Sequence, residues 1–116
     1  MTSQDYAREV GNLMLIVARE MDVKTNDPGY RRAFSLALQR IMLTGADQYE
    51  VSEDVQQVEV KPLGGLIRDI EEEAVDLIAY ATALRLRAPE HDLEARRLVA
   101  CALEQMQIVG KIVEPS

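Results

Sequence analysis

The chain has 116 residues, 47% hydrophobic and 28% charged, which excludes an intrinsically disordered protein and suits one domain spanning 1–116. Lys plus Arg number 13 against 20 Asp plus Glu, and the net charge of −7 argues against binding to nucleic-acid polymers through their phosphates. Trp is absent and aromatics are 4%, so the stacking platforms used for single strands are missing as well.

The first residues, Met1-Thr2-Ser3-Gln4-Asp5, carry no basic n-region, and the apolar run Leu13–Ala18 is too short to span a bilayer. A lone Cys101 forms no internal disulfide. Together these point to a soluble cytoplasmic protein with no membrane contact. Tyr6, Val10, Leu13, Met14, Val17 and Met21 keep the spacing of one helix face over residues 3–21, with Ser3 as the expected N-cap. Asp27 followed by Pro28 reads as N-cap then N1 of a second helix, about Pro28 to Leu43, with Gly45 placed to end it.

Residues 46–61 carry no clear period and read as irregular, although Val58-Glu59-Val60 alternates like a strand. Pro62 then opens the longest element, which keeps a 3.6-residue period to about Ala88. Pro89-Glu90-His91-Asp92 stops it, and a fourth helix runs from about Leu93 to Val113. The expected fold is therefore all-α, a four-helix bundle-like domain with one long third helix.

At 1.5 Å per residue the third helix is about 39 Å long, against a diameter near 35 Å for a compact globule of this size. The fourth helix also carries a second apolar edge, Cys101, Ile108 and Ile112, off its inner face. Both features favour packing into a homo-oligomer.

The chemistry concentrates in Arg68-Asp69-Ile70-Glu71-Glu72-Glu73-Ala74-Val75-Asp76-Leu77-Ile78-Ala79-Tyr80. On a helix, Asp69, Glu73, Asp76 and Tyr80 fall along one edge of the core face, with Glu73 nearest the core and Glu72 nearest solvent. Like charges at these spacings repel, and no Lys or Arg lies between residues 69 and 84 to offset them. Mg²⁺ would relieve such a cluster, since it takes carboxylates, phosphates and waters. The plainer reading is a solvated acidic face near a helix start, which the macrodipole favours.

Glu73-Ala-Val-Asp76-Leu-Ile-Ala-Tyr80 resembles the second acidic motif of the MazG-like, all-α nucleoside triphosphate pyrophosphohydrolases, and their small phage-borne relatives. The resemblance covers some 25 residues. It implies Mg²⁺ held by Glu73 and Asp76, with Glu72 and Asp69 as adjuncts, and a nucleotide cleaved to pyrophosphate and monophosphate. The family's first motif, Glu-Glu-x-x-Glu, has no full counterpart here. Helix one offers only Glu9 and Glu20; the nearest match is Glu50-Val-Ser-Glu53, with Tyr49 in the leading place. If Glu72-Glu73-Ala-Val-Asp76 is instead the first motif, the fourth helix supplies only Glu104-Gln-Met-Gln107.

Other residues read more plainly. His91 suits an exposed acidic turn, Cys101 a small apolar position, and Gly64-Gly65 an entry turn. Arg31-Arg32, Lys61, Arg85, Arg87 and Arg96-Arg97 suit solvated faces. The alternative to a Mg²⁺-dependent nucleotide enzyme is a non-enzymatic small helical oligomer that binds a protein partner or a nucleotide signal. A phage-encoded sequestering or inhibitory protein is one form of it.

Overall fold

The computed structural model describes residues 1–44, 50–52 and 55–113. Helix dominates, as the hydrophobic period requires. The described α-helices are α1 (Ser3–Glu20), α2 (Pro28–Gln39), α3 (Gln57–Val60), α4 (Leu63–Arg87) and α5 (Asp92–Val113). Strands β1 (Glu50–Ser52) and β2 (Val55–Gln56) pair antiparallel. Contacts gather the chain into two compact units, Met1–Lys61 and Pro62–Ser116.

In the first unit, the N-cap of α1 is Thr2 and not the expected Ser3. The reason is the residue three places on. Thr2 Oγ1 accepts from the Asp5 N–H at 3.0 Å, and Asp5 Oδ2 accepts from the Thr2 N–H at 3.1 Å, closing a reciprocal box. Ser3 has Tyr6 at that spacing, which cannot return the bond. The Thr2 N–H, then the Thr2 hydroxyl, hold the Asp5 carboxyl below its ordinary value. Because the folded value is the lower one, this contribution is complete above about pH 4 and is lost as pH falls through the folded value. Titration followed by NMR should show the amides of the first turn of α1 shifting in acid. Asp5→Asn should remove that transition.

The far end of α1 closes on Asp22 in the left-handed region, φ 57°. The Val23 N–H reaches the Ala18 carbonyl at 2.7 Å and the Asp22 N–H reaches Arg19 at 3.2 Å, a Schellman ending. Helix α2 begins as its sequence indicates, with Asp27 Oδ2 accepting from the Tyr30 N–H at 3.0 Å and Pro28 in the first turn. It ends earlier than expected. After Gln39 the chain widens into a π-turn, Arg40–Thr44, which carries Ile41 into the core. Gly45 lies outside the described residues. Tyr30 and Phe34 stack with ring centroids 6.1 Å apart. Gly11 lets the Phe34 ring approach α1, for a Cβ there would stand 3.2 Å from Phe34 Cε2.

Of residues 46–61, expected to be irregular, 46–49 and 53–54 lie outside the described residues; the others include β1, β2 and α3, and Val58-Glu59-Val60 is helical, not strand-like. Glu59 supplies the reason. Its Oε2 accepts from the Gln56 N–H at 3.2 Å, while Oε1 takes the Met1 ammonium at 2.6 Å, so the turn is tied back to the start of α1. Gln56 is fully buried at this junction. Its Nε2 donates to the Met1 carbonyl at 3.4 Å and to Ser3 Oγ at 3.3 Å. Its Oε1 has no donor among the described residues.

The second unit is a helical hairpin. Ala88 breaks α4 with φ −139° and ψ 76°, outside the helical region that a following proline disfavours, and one 3₁₀ turn, Pro89–His91, returns the chain into α5. Asp92 at the start of α5 pairs with Arg85 Nε at 2.5 Å and lies 3.9 Å from Arg96, fastening the turn. Deeply buried positions recur every seven residues, at Ile67, Ala74 and Ala81 on α4 and at Ala95, Ala102 and Val109 on α5. Ala74 and Ala102 have no exposed surface at all. Alanine at the four central positions, between Ile67 and Val109 at the far end, allows the two backbones to approach closely. The antiparallel register sets Ala81 beside Ala95 in one groove, and Gln105 Nε2 donates to the Ile70 carbonyl at 3.1 Å further along.

Gly110 lies exposed within α5, and an added Cβ there would meet nothing within 4 Å. Gly110→Ala should therefore stabilise the helix by about 0.5–1 kcal/mol, raising Tm by a few degrees in a thermal melt.

Candidate functional site

The acidic run lies in the middle of α4, and the core line Ile67–Ala74–Ala81 fixes its rotation. Asp69 is half-buried and engaged in an interaction of its own, whereas Glu72, Glu73, Asp76 and Tyr80 are exposed. The order expected from the helical wheel, with Glu73 closest to the core, is thus corrected. An alanine-lined seam is narrow, so it does not reach the position immediately before Ala74.

Asp69 and Asp76 are two turns apart, about 10 Å along the axis. Among the described residues no three His, Cys, Asp or Glu side chains gather where they could hold a metal ion. The candidate first motif Glu50-Val-Ser-Glu53 begins in strand β1, while Tyr49 and Glu53 lie outside the described residues. Glu104 is exposed on α5, whereas Gln105 turns its amide to the α4 backbone.

Concave features of the described residues lie elsewhere, two of them largely apolar. In the hairpin, a groove of 560 Å³ runs along Ala81, Ala95, Val99 and Leu103 between Arg85 and Arg96, the two arginines that share Asp92. In the first unit, an apolar groove of 380 Å³ is lined by Leu13, Met14, Val17, Met21 and Tyr30. Neither is lined by Asp69, Glu72, Glu73 or Asp76. His91 is exposed, with Nδ1 3.9 Å from Glu94, and Cys101 is exposed on α5. No helix among the described residues is long and apolar enough to cross a membrane.

The surface itself carries the stronger signal. On the hairpin, Val75, Tyr80, Leu86, Leu103, Ile108 and Ile112 are each more than half exposed, while alanines fill the seam. Of these, the second apolar edge of α5 (Cys101, Ile108, Ile112) was legible in the sequence. The alanine heptad is present there too, within the same helical period. No family model, curated protein or solved structure matches the chain.

Proposed function

We propose that this chain is a non-enzymatic helical interaction protein that docks another protein chain through the outward apolar residues of its α4–α5 hairpin. One observation carries this: bulky aliphatic side chains face outward while alanines close the seam, an arrangement suited to a surface completed by a second molecule. The long helices then belong to a bundle-like module that completes its core by oligomerisation. A cytoplasmic setting would keep Cys101 reduced. Sequestration of a host factor, as by a phage protein, is one use of such a module.

The second reading is the MazG-like one, a Mg²⁺-dependent nucleotide pyrophosphohydrolase with Glu73 and Asp76 as metal ligands and Asp69 and Glu72 assisting. What favours it is the placement of acidic residues along one side of α4 with no Lys or Arg between residues 69 and 84. Thermal unfolding with Mg²⁺ and a panel of nucleoside triphosphates separates the two. An interaction protein should melt unchanged when Mg²⁺ and the nucleotides are added, with or without Glu73→Gln and Asp76→Asn. A ligand at about 100 times its Kd would instead raise stability by about 2.7 kcal/mol. A Mg²⁺-dependent shift of that size, lost in Asp76→Asn, would replace the interaction reading with the enzyme.

A further inference from the structure

We infer that the α4–α5 hairpin pairs with a second copy of itself, through the face that carries Leu98, Cys101, Ile108 and Ile112 of α5 and Tyr80 of α4. This rests on the interaction reading above and names the occupant of that surface. Leu98, Ile108 and Ile112 are 37%, 53% and 53% exposed, and Tyr80 is 73% exposed. All lie on the side of the seam opposite the Arg85–Arg96 groove, one position before or three after a buried seam residue (Ala81, Ala95, Ala102 or Val109). Gln105, in the middle of this face, already donates one of its two amide hydrogens to the Ile70 carbonyl.

Charge selects the occupant. The α4 rim of the face is acidic, with Asp69, Glu73 and Asp76 and only Arg87 at its far end, whereas the α5 rim carries Arg97 and Lys111 beside Glu94 and Glu104. Laid on its own copy, this face sets Arg97 and Lys111 of one α5 rim against the acidic α4 rim of the other. A two-fold axis parallel to the helices lays α4 of one copy over α5 of the other, so that all four neighbouring helices run antiparallel.

The seam register puts Arg97 at the height of residue 79, about 4.5 Å along the axis from Asp76 of the second copy and within an arginine's reach. Lys111 falls one turn from Asp69 in the same way. Glu104 falls opposite Glu73, a like-charge pair that costs affinity. A face some 33 Å long and two helices wide buries roughly 600 Å² per copy, about 1,200 Å² in all, which reaches the range of specific dimers.

The test is light scattering on the full chain over a concentration series. The expected mass is twice the 13.0 kDa of the chain. Ile108→Glu combined with Ile112→Glu should give a folded monomer by circular dichroism. Arg97→Glu should weaken the dimer about fivefold, Asp76→Arg added to it should restore affinity, and Glu104→Lys should tighten it. Maleimide should modify Cys101 more slowly as concentration rises.

A dimer indifferent to the double substitution would overturn the inference. So would a monomer at every concentration, and the melting temperature of the double variant then decides what else falls. If it is unchanged, the face awaits a different protein and the interaction reading stands. If it drops by several degrees, the two isoleucines already pack within the single chain, and both fail.

Discussion

Ala102→Asp should unfold the carboxy-terminal hairpin. Ala102 has no exposed surface, and Ala74, Ala81 and Ala95 are 0%, 1% and 2% exposed along the same seam. A carboxylate placed there has no room to turn toward water and no cation to meet. Burying it costs several kcal/mol, a large share of the 5–15 kcal/mol that holds a typical domain together. Ala102→Leu separates steric from electrostatic cost, since added methylenes in a packed seam cost about 1–3 kcal/mol. Ala79→Leu, on the exposed back of α4, should stay within about 0.5 kcal/mol of the parent. Urea unfolding followed by circular dichroism ranks the three. If Ala102→Leu melted like Ala79→Leu, the seam would not be closely packed.

The second large effect is expected at Gln56, the largest fully buried side chain among the described residues. It fills the junction between α3 and the start of α1 with two long hydrogen bonds, and its Oε1 has no donor. Gln56→Ala leaves a cavity and should cost about 2–4 kcal/mol, as truncation of a side chain this long does. Gln56→Met keeps the volume and removes the stranded acceptor, whose burial alone costs about 1–3 kcal/mol. It should therefore melt within about 1 kcal/mol of the parent, or above it. Equal losses in both variants would show that the amide's hydrogen bonds, and not its volume, hold the junction.

The contrast between these sites shows what the sequence reveals. The long helices were legible because their periods run uninterrupted for many turns, and Asp27-Pro28 and Ala88-Pro89 punctuate them by local chemistry. The N-cap was missed by one residue because Ser3 and Thr2 both suit the position; only Asp5, three residues after Thr2, decides between them. Gln56 was invisible: a polar residue in a segment without period is buried only by what folds back on it, 53 residues away at Ser3. For the site, sequence periodicity put the carboxylates on one helix but misjudged their depth. Side-chain size on the neighbouring helix sets that depth. The apolar edge of α5 was legible as a surplus over what one inner face needs.

The three-residue turn at Pro89–His91 carries a kinetic consequence. It brings α5 back along α4 after almost no slack chain, so the hairpin's first contacts are local and cheap in loop-closure entropy. The amino-terminal unit must instead bring Gln56 and Glu59 back to residues 1–3, closing a loop of more than fifty residues. Refolding from denaturant should thus protect the amides of α4 and α5 in an early phase, and those of α1 and α3 in a later one.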